Sequence, residues 1–386
     1  MKKPLFLLLT FLQISAAYSQ LSISYSINTS TGRSTISPYV YGNNLCETWY
    51  SNRPENVTAR RAGGNRFTGF NWETGYSNAG QDYGPNSTDT YLYNPLLGIP
   101  VTPTIPGSII QAFHDTSRKE GTYSLMTLQA AGYVAKNVTK NVTTTAPSAD
   151  WDRVQSSKGS AFTLTPSTSD GVVYTDEMLN WIINKYGPAS GANGIKGYSV
   201  DNEPDLWDGT HPLIHPSPAG CQEIVDKTIE FGRVVKRMDA TAEVFGFVSY
   251  GYEGLRKCQN AADWGNAAWS GTYPWYVDGF LDKLKIQSTA DGKRLLDVLD
   301  LHWYPEHRGA DNGGTLRRVY DANPQTWDSH NGVRTARMQA PRSLWDPGFV
   351  ENSWIPSSYP GAIQLIPTLL SKISTRYAGT KLAISE

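Results

Sequence analysis

The strongest constraint on this chain is an alternation of strand and helix patterns that becomes regular beyond residue 170. Residues 176–186 place Met178, Leu179, Ile182 and Ile183 on one helical face, and Gly187-Pro188 stops the helix. Residues 195–200 form a short apolar strand, 218–238 an amphipathic helix, 242–248 a strand, 275–284 a helix, 295–301 a strand and 362–377 a helix. The segment 381–386 reads as a last strand. Strands separated by helices pair in parallel. No dinucleotide-binding glycine pattern follows the early strands, and no phosphate-binding G-x-x-x-x-G-K-[ST] occurs. The expectation is therefore an α/β fold, a (β/α) barrel of the TIM type.

The first half is less regular. The alternating run 21–27 predicts a half-buried strand, 66–72 a strand running into Asn71-Trp72-Glu73, and 123–128 a third. Residues 76–108 and 137–170, rich in Gly, Asn, Ser, Thr and Pro, predict long loops on the rim of the scaffold. Lys2 and Lys3 precede the apolar run 5–12, and Ala17-Tyr18-Ser19 supplies small residues before Gln20, so residues 1–19 predict a secretory signal and an extracellular, soluble protein. That run is too short to span a bilayer, which excludes a membrane partner. Lys and Arg total 34 against 35 Asp and Glu, a balance that offers no basic excess for a nucleic acid. The 12 Trp and 22 Tyr suit a neutral hydroxylated ligand whose apolar faces a ring can cover, although core packing uses the same residues.

In a barrel, chemistry gathers at the C-terminal ends of the strands. Three predicted strands end in Asn202-Glu203, His302-Trp303-Tyr304 and Glu386. Two carboxyls about 5–5.5 Å apart, one protonated and one ionised, are what a retaining glycosidase requires. Glu203 and Glu386 are the leading pair, with Asn202 placed to hydrogen-bond a sugar hydroxyl. Glu306 is the rival second carboxylate, pushed into a loop by Pro305. Glu73 is expected to hold loop residues or a cation, and Asp300 either orients His302 or joins a buried salt bridge. His211 and His215 have metal-ligand spacing on a helix, but Pro212 and Pro216 break that helix. Trp72, Trp207, Trp303, Tyr304 and Trp354 are the candidate lining of a polysaccharide cleft, along with Trp49.

Longer blocks carry a resemblance. Arg60-Arg61-Ala-Gly-Gly-Asn-Arg66 with Asn71-Trp72-Glu73, Gly197-Tyr-Ser-Val-Asp-Asn-Glu-Pro204, residues 296–305, residues 336–347 and the segment 381–386 resemble glycoside hydrolase family 44. The resemblance runs from about residue 39 onward. It implies an endo-β-1,4-glucanase or xyloglucanase with a TIM-like barrel, a β-sandwich and a retaining mechanism. It also implies that Glu203 is the acid/base at the end of the fourth strand and Glu386 the nucleophile at the end of the seventh. Trp72 and Trp354 match cleft-lining positions. No cofactor is required, and a structural calcium occurs in some members, with metal ligands left unassigned here. The expected partner is a β-glucan, and the expected state a monomer. Members continue beyond the nucleophile, so the chain reads as a C-terminally truncated barrel over 41–386, with 20–40 a strand region of a β-sandwich that is mostly absent. The readings left open are the same chemistry on xylan or mannan, and a non-catalytic glycan-binding protein or inactive fragment.

Overall fold

The computed structural model describes residues 24, 26, 28–31, 35–44, 57–81, 86–93, 105–320 and 329–386. The predicted signal, Trp49 and all of the 21–27 strand except Ser24 and Ser26 lie outside the described residues. The chain divides into two units, Met1–Ser37 and Pro38–Glu386. The described residues of the first adopt no regular secondary structure. The predicted β-sandwich strand therefore has no test here.

The second unit is built on one parallel sheet. Its strands in spatial and chain order are β1 (Gly42–Asn44), β2 (Ala59–Ala62), β3 (Tyr123–Leu128), β4 (Gly197–Val200), β5 (Glu243–Ser249), β6 (Val298–Leu301) and β7 (Lys381–Ile384). Five principal helices follow strands: α1 (Ser108–Glu120), α2 (Thr175–Tyr186), α3 (Cys221–Met238), α4 (Tyr276–Asp291) and α5 (Leu365–Arg376). Sequential parallel strands joined through helices curl in one sense. At the C-terminal ends the curl brings the two edges together, where the Asn44 amide donates to the Ser385 carbonyl at 3.2 Å. The architecture is an incomplete (β/α)8 barrel, as the sequence predicts.

The strand expected at 66–72 is the main correction. Asn65–Thr68 is a single helical turn, and the neighbouring strand is Ala59–Ala62. Two adjacent arginines disguise that strand. Successive strand residues face opposite sides, so Arg60 turns outward and Arg61 inward. The buried Arg60 guanidinium donates to the Phe113 carbonyl at 3.1 Å and to Ser117 Oγ at 2.9 Å on α1, which makes burial of its charge tolerable.

The barrel interior is layered. At the N-terminal end the Tyr123 hydroxyl donates to Glu243 Oε2 at 2.7 Å, and Lys381 pairs with the same carboxylate. An apolar layer follows, made of Leu125, Phe245 and Val298 with Ala383 packed against them. Gly197 makes room for it, since a Cβ there would meet the Phe245 ring at 2.7 Å. Above lies a polar layer that includes Arg61, Ser385, Asp300 and a Thr127–Ser199 hydroxyl pair at 3.1 Å. The larger apolar core fills the space between sheet and helices, where Phe247 packs on Phe280 and Tyr276 with ring centroids 4.9 and 5.0 Å apart. The first amides of α3 are capped from the loop after β5, with Asp263 accepting from Cys221 at 2.7 Å and Gln222 at 3.0 Å. Among the described residues no helix is long and apolar enough to cross a membrane.

Candidate active site

The site begins where β4 ends. Asp201 and Glu203 both adopt left-handed backbone, with φ of 63° and 43°. Such strain costs about 1–3 kcal/mol per residue and persists only where surroundings enforce it. Here they do. The buried Asp201 carboxylate accepts from Thr68 Oγ1 at 2.6 Å and from the amides of Asn202, Ala130 and Ala131 at 2.8, 2.5 and 2.9 Å. The Glu203 amide donates to the Val248 carbonyl on the next strand at 3.0 Å. The Glu203 side chain is thus aimed into the barrel mouth, where Oε1 lies 2.7 Å from His302 Nδ1.

Glu386 enters from the opposite edge. Its Oε1 accepts from Arg61 Nη1 at 2.6 Å, its Oε2 accepts from the Tyr304 hydroxyl at 2.6 Å, and His302 Nδ1 lies 3.6 Å from that oxygen. Burial pushes the Glu386 carboxyl up, but the Arg61 and His302 charges and the Tyr304 hydrogen bond outweigh it and hold the group below its ordinary value. One oxygen of each glutamate and His302 Nδ1 lie within 4.8 Å of one another.

The surrounding side chains lock this geometry. Arg61 Nη2 donates to Asn202 Oδ1 at 2.6 Å, and Asn202 Nδ2 donates to Asn65 Oδ1 at 2.9 Å, so the Asn202 amide braces Arg61 as well as flanking Glu203. His302 is fully buried, and the Trp303 amide donates to the Glu386 carbonyl at 2.9 Å. Tyr304 is 44% exposed and Trp354 half-buried against Tyr252, so both can meet a ligand. Trp303 is mostly enclosed, at 9% exposure.

Two tryptophans depart from the expected cleft lining. Trp72 is 1% exposed and packs against Trp181 with centroids 6.4 Å apart. Trp207 is equally buried, and its indole donates to the Asn202 carbonyl at 3.1 Å. Both are core residues, and Trp207 supports the site from behind, because hydrophobic burial favours ring area wherever a neighbouring surface can cover it. Glu306 is also directed elsewhere, toward Arg318 at 3.5 Å and the Tyr320 hydroxyl at 3.4 Å. His215 pairs with Glu223 at 2.9 Å.

Sequence reasoning missed Arg61, Asn44 and Asn65 as members of this constellation. The available signal was a doubled arginine within a short barrel strand, where one of the two must face inward. Asp205, two residues beyond Glu203, was also missed. It is buried, accepts from Ser249 Oγ at 2.7 Å, and burial with the nearby Glu203 charge pushes its carboxyl up to about 7.

A second acidic group surrounds Glu73, which is 2% exposed. Burial, then the charges of Asp170, Glu177 and Asp152, push its carboxyl up to about 8, against a smaller opposing effect from Lys158. Asp152 pairs with Lys136 and accepts from Asn71, and Glu177 pairs with Lys158, so these carboxylates are already engaged by protein donors.

Comparison with known proteins identifies the family. A sequence model of glycoside hydrolase family 44 matches residues 76–307. Endoglucanase A of Paenibacillus lautus is 45% identical over 369 residues, covering 94% of this chain and 50% of that protein. Beta-mannanase/endoglucanase A of Caldicellulosiruptor saccharolyticus is 44% identical over 378 residues, covering 94% of this chain and 27% of that protein. The chain thus spans half or less of the length of these relatives. A solved Paenibacillus polymyxa family 44 xyloglucanase with xyloglucan superposes with a TM-score of 0.83 at 44% identity, over 90% of this chain and 65% of that one. The Clostridium thermocellum family 44 endoglucanase Cel44A gives a TM-score of 0.82 at 44% identity, over 90% of this chain and 66% of that one. The chain belongs to glycoside hydrolase family 44.

Proposed function

We propose that this protein is an exported, retaining endo-β-1,4-glucanase or xyloglucanase. The observation that carries the reading is the convergence of Glu203 and Glu386 within 4.8 Å through His302, with Arg61 and Tyr304 hydrogen-bonded to Glu386 and not to Glu203. That asymmetry divides the labour. Glu386, kept ionised by Arg61, attacks the anomeric carbon, while Glu203 gives its proton to the departing glycosidic oxygen. Glu203 then takes a proton from water, whose oxygen displaces Glu386 and restores the free carboxylate. The exposed ring of Tyr304 and the half-buried Trp354 supply surfaces on which sugar faces stack. Export rests on the charged and apolar opening of the sequence, with small residues at 17–19.

The test is Glu203→Gln assayed on a β-glucan, xyloglucan, xylan and mannan panel. Polysaccharide hydrolysis should fall by roughly 100-fold or more, the scale of general acid catalysis. An aryl glycoside with a good leaving group should still load the enzyme, because its departure needs little protonation. Undiminished polysaccharide cleavage would remove Glu203 from this role, and binding without product release by the unmutated protein would favour a glycan-binding protein instead.

A further inference from the structure

Directly beneath the two glutamates, the polar layer of the barrel holds four buried groups with atoms that make no well-formed hydrogen bond to the protein. They are both carboxylate oxygens of Asp300, Nε2 of His302, Nε of Arg61 and Oγ of Ser385. Asp300 and His302 are both 0% exposed. Buried polar atoms are satisfied in more than nine cases in ten, by protein or by ordered water. Four such groups in one layer therefore need a common explanation.

Their positions supply it. Asp300 and His302 sit two residues apart on one strand and face the same side, about 6–7 Å apart along it, too far for a direct bond. Ala383 pairs with Asp300 on β7, which places Ser385 level with His302. Arg61 faces inward from β2; burial pushes the Asp300 carboxyl up, and the Arg61 and His302 charges, then the Ser385 hydroxyl, pull it down. The groups are also complementary. Asp300 offers only acceptors, Arg61 Nε only a donor, and His302 and Ser385 one proton each. A polar space with several partners at this spacing suits internal water, which makes about three hydrogen bonds when buried.

We propose that Asp300 is a positioning residue for the reaction: through internal water it accepts the hydrogen bonds that His302 Nε2–H and Arg61 Nε–H donate, fixing the two groups that touch Glu203 and Glu386. With the ring proton committed below, Nδ1 is left to share a hydrogen with Glu203 at 2.7 Å as that acid discharges and recharges. Arg61 is held in the plane that serves Glu386 and Asn202 together. This inference rests on the catalytic reading above, since it matters only if Glu203 and Glu386 are the reacting pair.

Two measurements test it. In the unmutated protein labelled with ¹⁵N-histidine, the His302 ring should carry its proton on Nε2 in slow exchange with solvent, with the signal assigned from an H302Q sample. A bare Nε2 would overturn the proposal without reference to activity. In D300N, which removes the charge and keeps the size, kcat should fall roughly tenfold or more with KM within about twofold, the scale for partners that orient an imidazole. A folded D300N protein that keeps the native kcat overturns the proposal. If D300N fails to fold, the ring-proton measurement decides. If Glu203→Gln keeps full polysaccharide activity, the catalytic reading falls while the ring-proton result still reports on Asp300.

Discussion

Replacing Arg61 with methionine isolates the electrostatic support of the nucleophile. The guanidinium lies 2.6 Å from Glu386 Oε1, and the two side chains are 4% and 19% exposed. Charge centres about 4 Å apart interact by about 4 kcal/mol at an effective dielectric constant of 20. That energy sets an upper bound of about three pH units on the displacement of the carboxyl's titration. His302 and Tyr304 remain, so the acid limb of kcat/KM should move upward, within that bound. The sign follows from the direction of the native shift. Arg61 favours ionised Glu386, and without it burial acts with less opposition, so the carboxylate is lost at higher pH. The same coupling stabilises the fold above the ordinary carboxylate range, and that contribution disappears as pH falls. A pH–rate profile on a soluble β-glucan, with folding checked by circular dichroism, reads this directly. Activity at mildly acid pH should drop, within the same bound, and recover toward alkaline pH. Arg61→Lys, which keeps the charge but loses the two-pronged contact, should hold the limb nearer its native position. A uniform loss of kcat with an unmoved acid limb in Arg61→Met would refute the reasoning and leave Arg61 a structural brace.

Two other expectations concern stability. Glu73 titrates near 8 in the folded protein against an ordinary 4.5, so its contribution is fully present below 4.5 and lost as pH rises through 8. In a cation-free buffer Tm should fall across that window, and Glu73→Gln should flatten the fall. Gly232 lies inside α3, where helix propensity alone predicts that alanine gains about 1 kcal/mol. A Cβ there would meet the Leu295 carbonyl at 2.6 Å, so Gly232→Ala should instead cost about 1–3 kcal/mol by urea denaturation. A stabilised variant would show that α3 can move away from its neighbour.

The repeating half of the fold is legible in the sequence because its signals are local. The apolar faces of α2, α3, α4 and α5, and the short runs before Glu203, His302 and Glu386, announce strands, helices and their polar ends within a dozen residues. The boundaries shift only slightly, as when the helix expected from 218 starts at Cys221 after Gly220. Nothing local marks β2, because a strand of Ala-Arg-Arg-Ala has no apolar alternation. Its charged side chains are tolerated only because α1 receives one and the barrel mouth the other.

The amino-acid sequence by itself determined the alternating architecture, and it determined which strand ends carry acids, an imidazole and rings. Which of those groups meet was decided by the closing of the sheet. Curvature brings β2 and β7 close enough for Arg61 to reach Glu386 across 325 positions of chain, and it turns Trp72 and Trp207 into the core. Pattern along a chain encodes which face a side chain occupies. Contact between faces depends on the cumulative twist of many strands, a property that no short stretch of residues holds.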